Sequence, residues 1–473
     1  MLWDEAFRPF IEQSPVSVMF RGTLENVLSH ERMDRLFVAH AQQQYDHRLA
    51  FSCCVEMLGV VVLQSRPSLN AVYRAKREKM AVSVQAVYDK VAGVEPQVSE
   101  ALVRETSTEL AQVVDAMGSA APGPLPGYDC RIVDGNHLQG TQHRLKELRR
   151  MGDAALPGHT VAVLDPQREL IEDVLVCEDG HANQKPLYRR LFEKIQPEQC
   201  WIGDRDFCTL EVLHGVQQRR AYFVIRQHSQ LQPTPQGARR RIGRTETGMV
   251  FEQDVSVTYQ GRTLSLRRIT IELDKPTRDK QTEIHLLTNL PAKVDGRQIA
   301  CAYLGRWQIE AAFHKLTTVL RCELNTLGYP AAALFGFCLA VVMFNAVSTV
   351  LSALRQVHSP SNVKRSGQKK PRSAPPKFSF YYVADEIAGV WRGMEIVVPA
   401  DRWTAAFARL SPAQLARKLI WLAQHANPER LWVNPSRVKK RKARRIIQHG
   451  GHVSTHRLLQ ESKPTKSRQH GKL

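Results

Sequence analysis

Two stretches decide how this chain is read: Tyr128-Asp129-Cys130-Arg131-Ile132-Val133-Asp134-Gly135-Asn136-His137 and Cys200-Trp201-Ile202-Gly203-Asp204-Arg205-Asp206-Phe207. Each begins as a run of β-favouring residues and stops at an aspartate. Tyr128–Val133 reads as a short strand ending in Asp134, and Cys200–Gly203 as one stopped by Asp204. A carboxylate at the end of a buried strand is held by rigid backbone at the rim of a sheet, where a ligand reaches it. Taken singly, each aspartate is equally readable as a turn or capping residue.

Working outward, Thr160–Leu164 and Leu170–Val176 are apolar runs joined by Asp165-Pro166-Gln167-Arg168, a hairpin turn. Gln184–Ile195 and Thr209–Arg219 carry helical patterns, and Ala221–Ile225 is a further strand, so the order is β-β-β-α-β-α-β. The stretch His228–Thr247, with Arg239, Arg240, Arg241 and Arg244, reads as a mobile basic loop. Met249–Tyr259 and Thr263–Leu273 alternate around Gln260-Gly261, and Ile284–Leu287 is one more strand. An all-β stretch between two α/β halves reads as an inserted subdomain.

A helix is predicted from the N-cap Asp295, with Gln298 three residues on, to about Arg321. It places Glu310 mid-helix, and Tyr303, Arg306 and Glu310 fall at i, i+3 and i+7 on one face. A solvated charge stripe accounts for Arg306 with Glu310 but has little use for Tyr303 and Trp307 beside them.

The flanks are helical. In residues 1–124, Ser68 and Ser83 are N-cap candidates and Gly93 follows a helix end. The pair Ser68–Arg77 and Ser83–Ala92, with Arg74, Lys76, Arg77 and Lys79 nearby, has the shape of a helix-turn-helix, although plain bundle packing gives the same spacing. Pro122, Pro124 and Pro126 with Gly123 and Gly127 mark a boundary. Leu324–Leu354 has no charged residue and is long enough to span a bilayer. Asn345, Ser348, Thr349 and Ser352 nevertheless form a polar stripe along it, which favours a buried core helix over a membrane anchor.

The expected organisation is therefore a helical N-terminal domain at 1–124, a core in two parts at 125–227 and 291–358, and a basic loop with β-rich insertion at 228–290. A basic linker at 359–377, a helical region at 378–433 and a basic, disordered tail at 434–473 follow.

The chain has 473 residues, ordinary globular composition and a net charge of +20. Residues 437–473 hold twelve Lys/Arg against Glu461, and residues 364–377 hold six with no acid, so these two stretches contain most of the excess. Such a balance calls for a polyanion, nucleic acid or an anionic membrane surface. Nine cysteines without a CxxC pair suggest neither a zinc site nor a dithiol motif, and read as reduced core thiols of a cytosolic protein. The first residues, with Asp4 and Glu5, lack the basic n-region of a signal peptide.

Val133-Asp134-Gly135-Asn136-His137, Gly203-Asp204-Arg205-Asp206-Phe207 and the Tyr303-x2-Arg306-x3-Glu310 helix together resemble the DDE transposases of bacterial insertion sequences. The likeness is to the branch with a Tyr-Arg-Glu-Lys signature, over roughly residues 126–355. Two positions depart from that pattern: the signature lysine falls on Thr317, with Lys315 nearby, and Asp206 stands where glycine is usual.

The resemblance implies an α/β, RNase H-like catalytic core, a mixed sheet flanked by helices, with an inserted β-rich subdomain and helical terminal regions. It implies Asp134, Asp204 and Glu310 as catalytic residues and ligands of two Mg²⁺ ions, with Mn²⁺ as a substitute and Asp206 as a lesser ligand. Oxygen-only donors suit such ions, and a pair of them serves in-line displacement at phosphorus. Tyr303, Arg306, Trp307, Lys315, Arg239, Arg240 and Arg241 are the expected DNA-binding residues. Trp307 reads either as a platform for an unpaired base or as a core residue beside Ile309 and Phe313. His137 is either a proton shuttle or a solvated loop histidine.

The partners implied are DNA, as terminal inverted repeats and as target, and a second copy in a synaptic dimer. No membrane is expected, and the location expected is cytoplasmic and nucleoid-associated. The alternatives are a related RNase H-like nuclease or a domesticated DNA-binding protein without strand transfer, and a membrane-anchored basic protein.

Overall fold

The computed structural model describes residues 5–44, 48–277, 279–358 and 377–433. The basic linker, apart from Lys377, and the basic tail lie outside the described residues.

Ten strands form one sheet in the order β3-β2-β1-β4-β5-β10-β9-β8-β6, with β7 also paired to β8. The first three are antiparallel: β1 (Asp129–His137), β2 (His159–Asp165) and β3 (Leu170–Cys177). Strands β4 (Gln199–Gly203) and β5 (Tyr222–Arg226) then run parallel to β1, each reached through a helix, α8 (Lys185–Phe192) and α9 (Leu210–Gln218). This 3-2-1-4-5 order is that of an RNase H-like core.

The period-2 alternation of strands divides the side chains between two cores. Val133, Val161, Val163, Trp201 and Phe223 pack with α8 and α9, whereas Ile132, Ala162, Leu164, Ile202 and Val224 join the larger core on the opposite face. That larger core holds the N-terminal helices α1 (Arg8–Gln13), α2 (Pro15–Val27), α3 (His30–His40), α4 (Phe51–Val62), α5 (Leu69–Ala75), α6 (Val84–Ala92) and α7 (Pro96–Met117). The described residues up to Trp432 make one compact unit.

The region after β5 is more ordered than its composition suggests. Within His228–Thr247, β6 (Thr234–Pro235) and β7 (Arg240–Thr245) pair with β8 (Gly248–Tyr259), which pairs along its length with β9 (Arg262–Leu273). This corrects the expectation of a mobile loop: the free edge of β8 supplies ladder partners that sequence composition does not register. Strand β10 (Glu283–Thr288) joins β5 antiparallel, so the insertion continues the core sheet.

The predicted helix after Asp295 is two helices, α10 (Gly296–Leu304) and α11 (Trp307–Thr318). At the junction the bonds shorten to the i+3 pattern, Arg306 N–H to Tyr303 carbonyl at 3.0 Å and Ile309 N–H to Arg306 carbonyl at 3.1 Å. Glu310 therefore lies in the first turn of α11 rather than mid-helix.

Helix α12 (Pro330–His358) is long and apolar enough to cross a membrane, and its apolar window is wholly buried within the fold. Its polar stripe has partners. The Asn345 side chain accepts from Ile171 N–H and donates to Ile171 carbonyl, both at 2.8 Å, so it completes the outer edge of β3 as another strand would. Ser352 meets Ser119 at 2.8 Å.

Helices α13 (Phe380–Val397), α14 (Ala400–Trp403), α15 (Pro412–His425) and α16 (Pro428–Leu431) return to the N-terminal helices. There Trp403 packs edge-on to Phe7, and Asn26 donates to the Phe407 carbonyl at 2.8 Å.

Candidate active site

Sheet register places the two aspartates side by side. Ile132 and Ile202 are partners across the parallel β1–β4 pair, and β4 ends at Gly203 opposite Val133. Two residues beyond that pair stand Asp134 and Asp204, so both keep the parity of isoleucines that face the larger core. Strand β1 does not stop at Asp134, as expected from sequence, but runs on to His137 because β2 pairs with it as far as His159. On the β4 side, though, the last partner of β1 is Val133, and the rim begins at Asp134.

Helix α11 lies on that face, with Ile309, Ala312 and Leu316 in the same core. Its N-terminal turn brings Arg306 between two acids: Nη1 donates to Asp134 Oδ2 at 2.8 Å and Nη2 to Glu310. Burial and the neighbouring Asp204 and Glu310 push the Asp134 carboxyl up to about 7, against the pull of Arg306 and a bond from Gly135 N–H. Asp204 is raised by burial and by Asp206, while the Asp206 N–H it accepts and Arg306 act the other way.

Tyr303 is 5% exposed, and among the described residues its hydroxyl meets no acceptor, its polar neighbour being the Arg306 guanidinium. Arg306 Nε is likewise buried without an acceptor. The Arg306 guanidinium lies 5.9 Å from the Tyr303 ring centroid. Burial raises the Tyr303 hydroxyl, and Arg306 opposes this. Two buried donors without acceptors beside three clustered acids form an anion-accepting pair next to a cation-accepting one.

The remaining expected residues are distributed more widely. Asp206 is exposed at the rim. Trp307 is 65% exposed, which removes its reading as a core residue. Lys315 is not brought to the carboxylates: Nζ lies 5.2 Å from the Phe380 ring and 5.8 Å from that of Phe344, and burial lowers its pKa. Thr317, at the signature lysine's position, bonds with Cys322. His137 lies with its ring 5.4 Å from that of His159. Arg239 is held by Glu283 at 3.2 Å and by Glu272, Arg240 reaches Asp254 at 3.7 Å, and Arg241 Nε approaches Met249 Sδ at 3.0 Å.

Sequence reasoning missed Gln184 and Tyr188, which approach from the other face of the sheet. The Tyr188 hydroxyl donates to Gln184 Oε1 at 3.0 Å, and a Cβ at Gly135 would meet the Gln184 amide at 3.0 Å. Burial, with Asp206, Asp204 and Asp134 nearby, raises the Tyr188 hydroxyl. Their i, i+4 spacing was visible in the sequence, but nothing there showed that this face of α8 meets Gly135.

Among the described residues no three His, Cys, Asp or Glu side chains are gathered as a metal centre. The single positive charge of Arg306 bridges Asp134 and Glu310 here and offsets only one of the two carboxylates. The donor chemistry nevertheless fits a hard divalent cation: all donors are carboxylate oxygens, and their mutual repulsion, expressed in the raised Asp134, is relieved by positive charge.

Residues 125–345 match the family model described as the transposase DDE domain. Among solved structures the chain is similar to a piggyBac transposase in a cryo-EM synaptic complex with hairpin DNA. The identity is 10%, with 85% of this chain and 86% of that chain covered and a TM-score of 0.37, too distant to carry an argument. No curated protein matches the chain. The carboxylate cluster lies inside the stretch that matches the transposase DDE domain.

Proposed function

We propose that the protein is a DNA transposase of the insertion-sequence type, which cleaves at the ends of its element and joins the freed 3′ end to target DNA. The observation that carries this reading is the convergence of Asp134, Asp204 and Glu310, with Arg306 among them, inside the matched domain.

Asp134, Asp204 and Glu310 would hold the divalent ions, two Mg²⁺ or in their place Mn²⁺. Such ions supply activation of the attacking oxygen and stabilisation of the leaving one. With the acids so occupied, Arg306 is free to offer its fork to a phosphate, and the Tyr303 hydroxyl, without an acceptor among the described residues, adds a neutral donor. Trp307, exposed beside them, offers a ring face to an unpaired base.

The domain boundaries of the sequence reading, a synaptic dimer and a cytoplasmic, nucleoid-associated location belong to the same proposal. Its test is cleavage of a DNA carrying the element's ends by Asp134→Asn, Asp204→Asn and Glu310→Gln. Each variant should lose cleavage by at least ~100-fold while still binding DNA. Normal cleavage by all three overturns the reading.

A second reading, an RNase H-like nuclease or domesticated DNA-binding protein without strand transfer, is favoured by Thr317 and by Lys315 facing Phe344 and Phe380. Joining of a pre-cut 3′ end separates the two: a transposase joins it, and a nuclease does not.

A further inference from the structure

Between β1 and β2 the chain leaves the sheet for residues 138–158, in a loop rich in exposed basic side chains. It carries Arg144, Lys146, Arg149 and Arg150, all exposed, against Glu147 and Asp153. Among the described residues none of these four cations forms an ion pair with a carboxylate, and Arg144 Nε donates only to Gln142 Oε1, at 2.8 Å.

The loop is closed at its neck. Thr141 N–H donates to Ala155 carbonyl at 2.8 Å, and the His143 ring meets Asp153 carbonyl at 2.7 Å. The neck is also tied to the connection between α11 and α12. Gln142 N–H donates to Asn325 carbonyl at 2.9 Å, Gln139 N–H bonds Glu323, and Gly328 packs against Arg144 and Leu145. One end of this frame thus continues the strand that carries Asp134, and its side is fastened just beyond the helix that carries Glu310.

We propose that this loop is a strap that grips the phosphate backbone of duplex DNA alongside the carboxylate site, an inference that rests on the transposase reading. Unpaired cations at the tip of a pre-tied loop lose little entropy on meeting phosphates. The strand end at His137 lies three residues past Asp134, roughly 10 Å along the strand, and the neck at Thr141 lies four residues further on, so the strap meets the backbone more than about three nucleotides from the reacting phosphate. The contacts are to phosphates and carry no sequence preference.

The test is the triple variant Lys146→Gln/Arg149→Gln/Arg150→Gln. These side chains are exposed and without ion-pair partners, so the thermal melt should be unchanged. Binding of the full chain to two unrelated 30-base-pair duplexes is followed by fluorescence anisotropy across a salt series in chelator. Each phosphate contact contributes ~0.9 to the slope of log affinity against log salt, so the slope should shrink by about 2.7, equally for both duplexes. An unchanged slope, or a loss confined to one duplex, overturns the strap. No binding of either duplex by the wild-type chain also overturns the strap, whereas the transposase reading falls only with the cleavage test of the Asp134, Asp204 and Glu310 variants, which distinguishes the two failures.

Discussion

Two arginines serve the first strand of the sheet, and their surroundings differ in a way that separates structure from function. Arg131 lies near the start of β1, with Nε on Glu172 at 2.6 Å and Nη1 on both Asp129 and the Cys130 carbonyl. Arg306 reaches the same strand from α11 and bridges Asp134 and Glu310. Each cluster contains a carboxyl that burial pushes up to about 7, Glu172 in one and Asp134 in the other. A raised acid is therefore no mark of a site by itself. The marks are the Tyr303 hydroxyl and Arg306 Nε, buried without an acceptor among the described residues, and a further acid, Asp204, which forms no ion pair among them and feels Arg306 and Arg205 only from a distance. The Arg131 cluster reads as a closed structural network, and the Arg306 cluster is left open for a ligand.

The strongest way to break this comparison is to remove each arginine. Arg131→Ala removes a buried guanidinium from the partly exposed Asp129 and Glu172 and should cost about 2 kcal/mol in urea unfolding. Arg306→Ala should cost about 1 kcal/mol yet lower DNA cleavage by ~100-fold or more. Equal stability losses would erase the distinction.

The next effect is in pH. Asp134 titrates at about 7 in the folded chain, against ~3.9 unfolded. Between those values the folded state holds a proton that the unfolded state has lost, so its contribution to stability falls as pH rises through the window and is level above it. Asp134→Asn removes this dependence. The variant should gain on the wild type by up to about 4 kcal/mol between pH 4 and pH 8 in chelator. Melting curves showing a constant difference would refute it.

A smaller effect sharpens the same point. Tyr303→Phe deletes a buried hydroxyl without an acceptor among the described residues, so it should raise stability by about 1 kcal/mol while slowing cleavage. Loss of stability would mean that the hydroxyl is satisfied in the folded protein. Smallest is Arg239→Gln: with Glu272 and Glu283 already holding this guanidinium, the salt slope of DNA binding should change by less than ~0.9, one phosphate contact.

Much of the carboxylate end was legible in the chain. The parity of Ile132 with Asp134 and of Ile202 with Asp204 is a local fact that survives folding because the strand period is fixed by the backbone, whereas Tyr303 and Glu310 fall on two helices joined by a tightened turn at Arg306. The polar stripe on α12 was also legible, though its partner on β3 was not. The ends of β1 and of the 295–321 helix were misplaced because ladder partners and a tightened turn, rather than propensity, set them.

Sequence alone determined which side chains carry charge, which strands alternate, and which acids follow them. Only the tertiary structure decided which charges are already matched. Arg239, Arg240 and Arg241 stand out in the sequence as a cluster, yet Arg239 and Arg240 meet acids on neighbouring strands. Arg144, Lys146, Arg149 and Arg150 are spread along a loop and have no ion-pair partner among the described residues. The reason is physical: a charge's worth depends on what lies within a few ångströms of it, and for β-strands those neighbours come from distant parts of the chain.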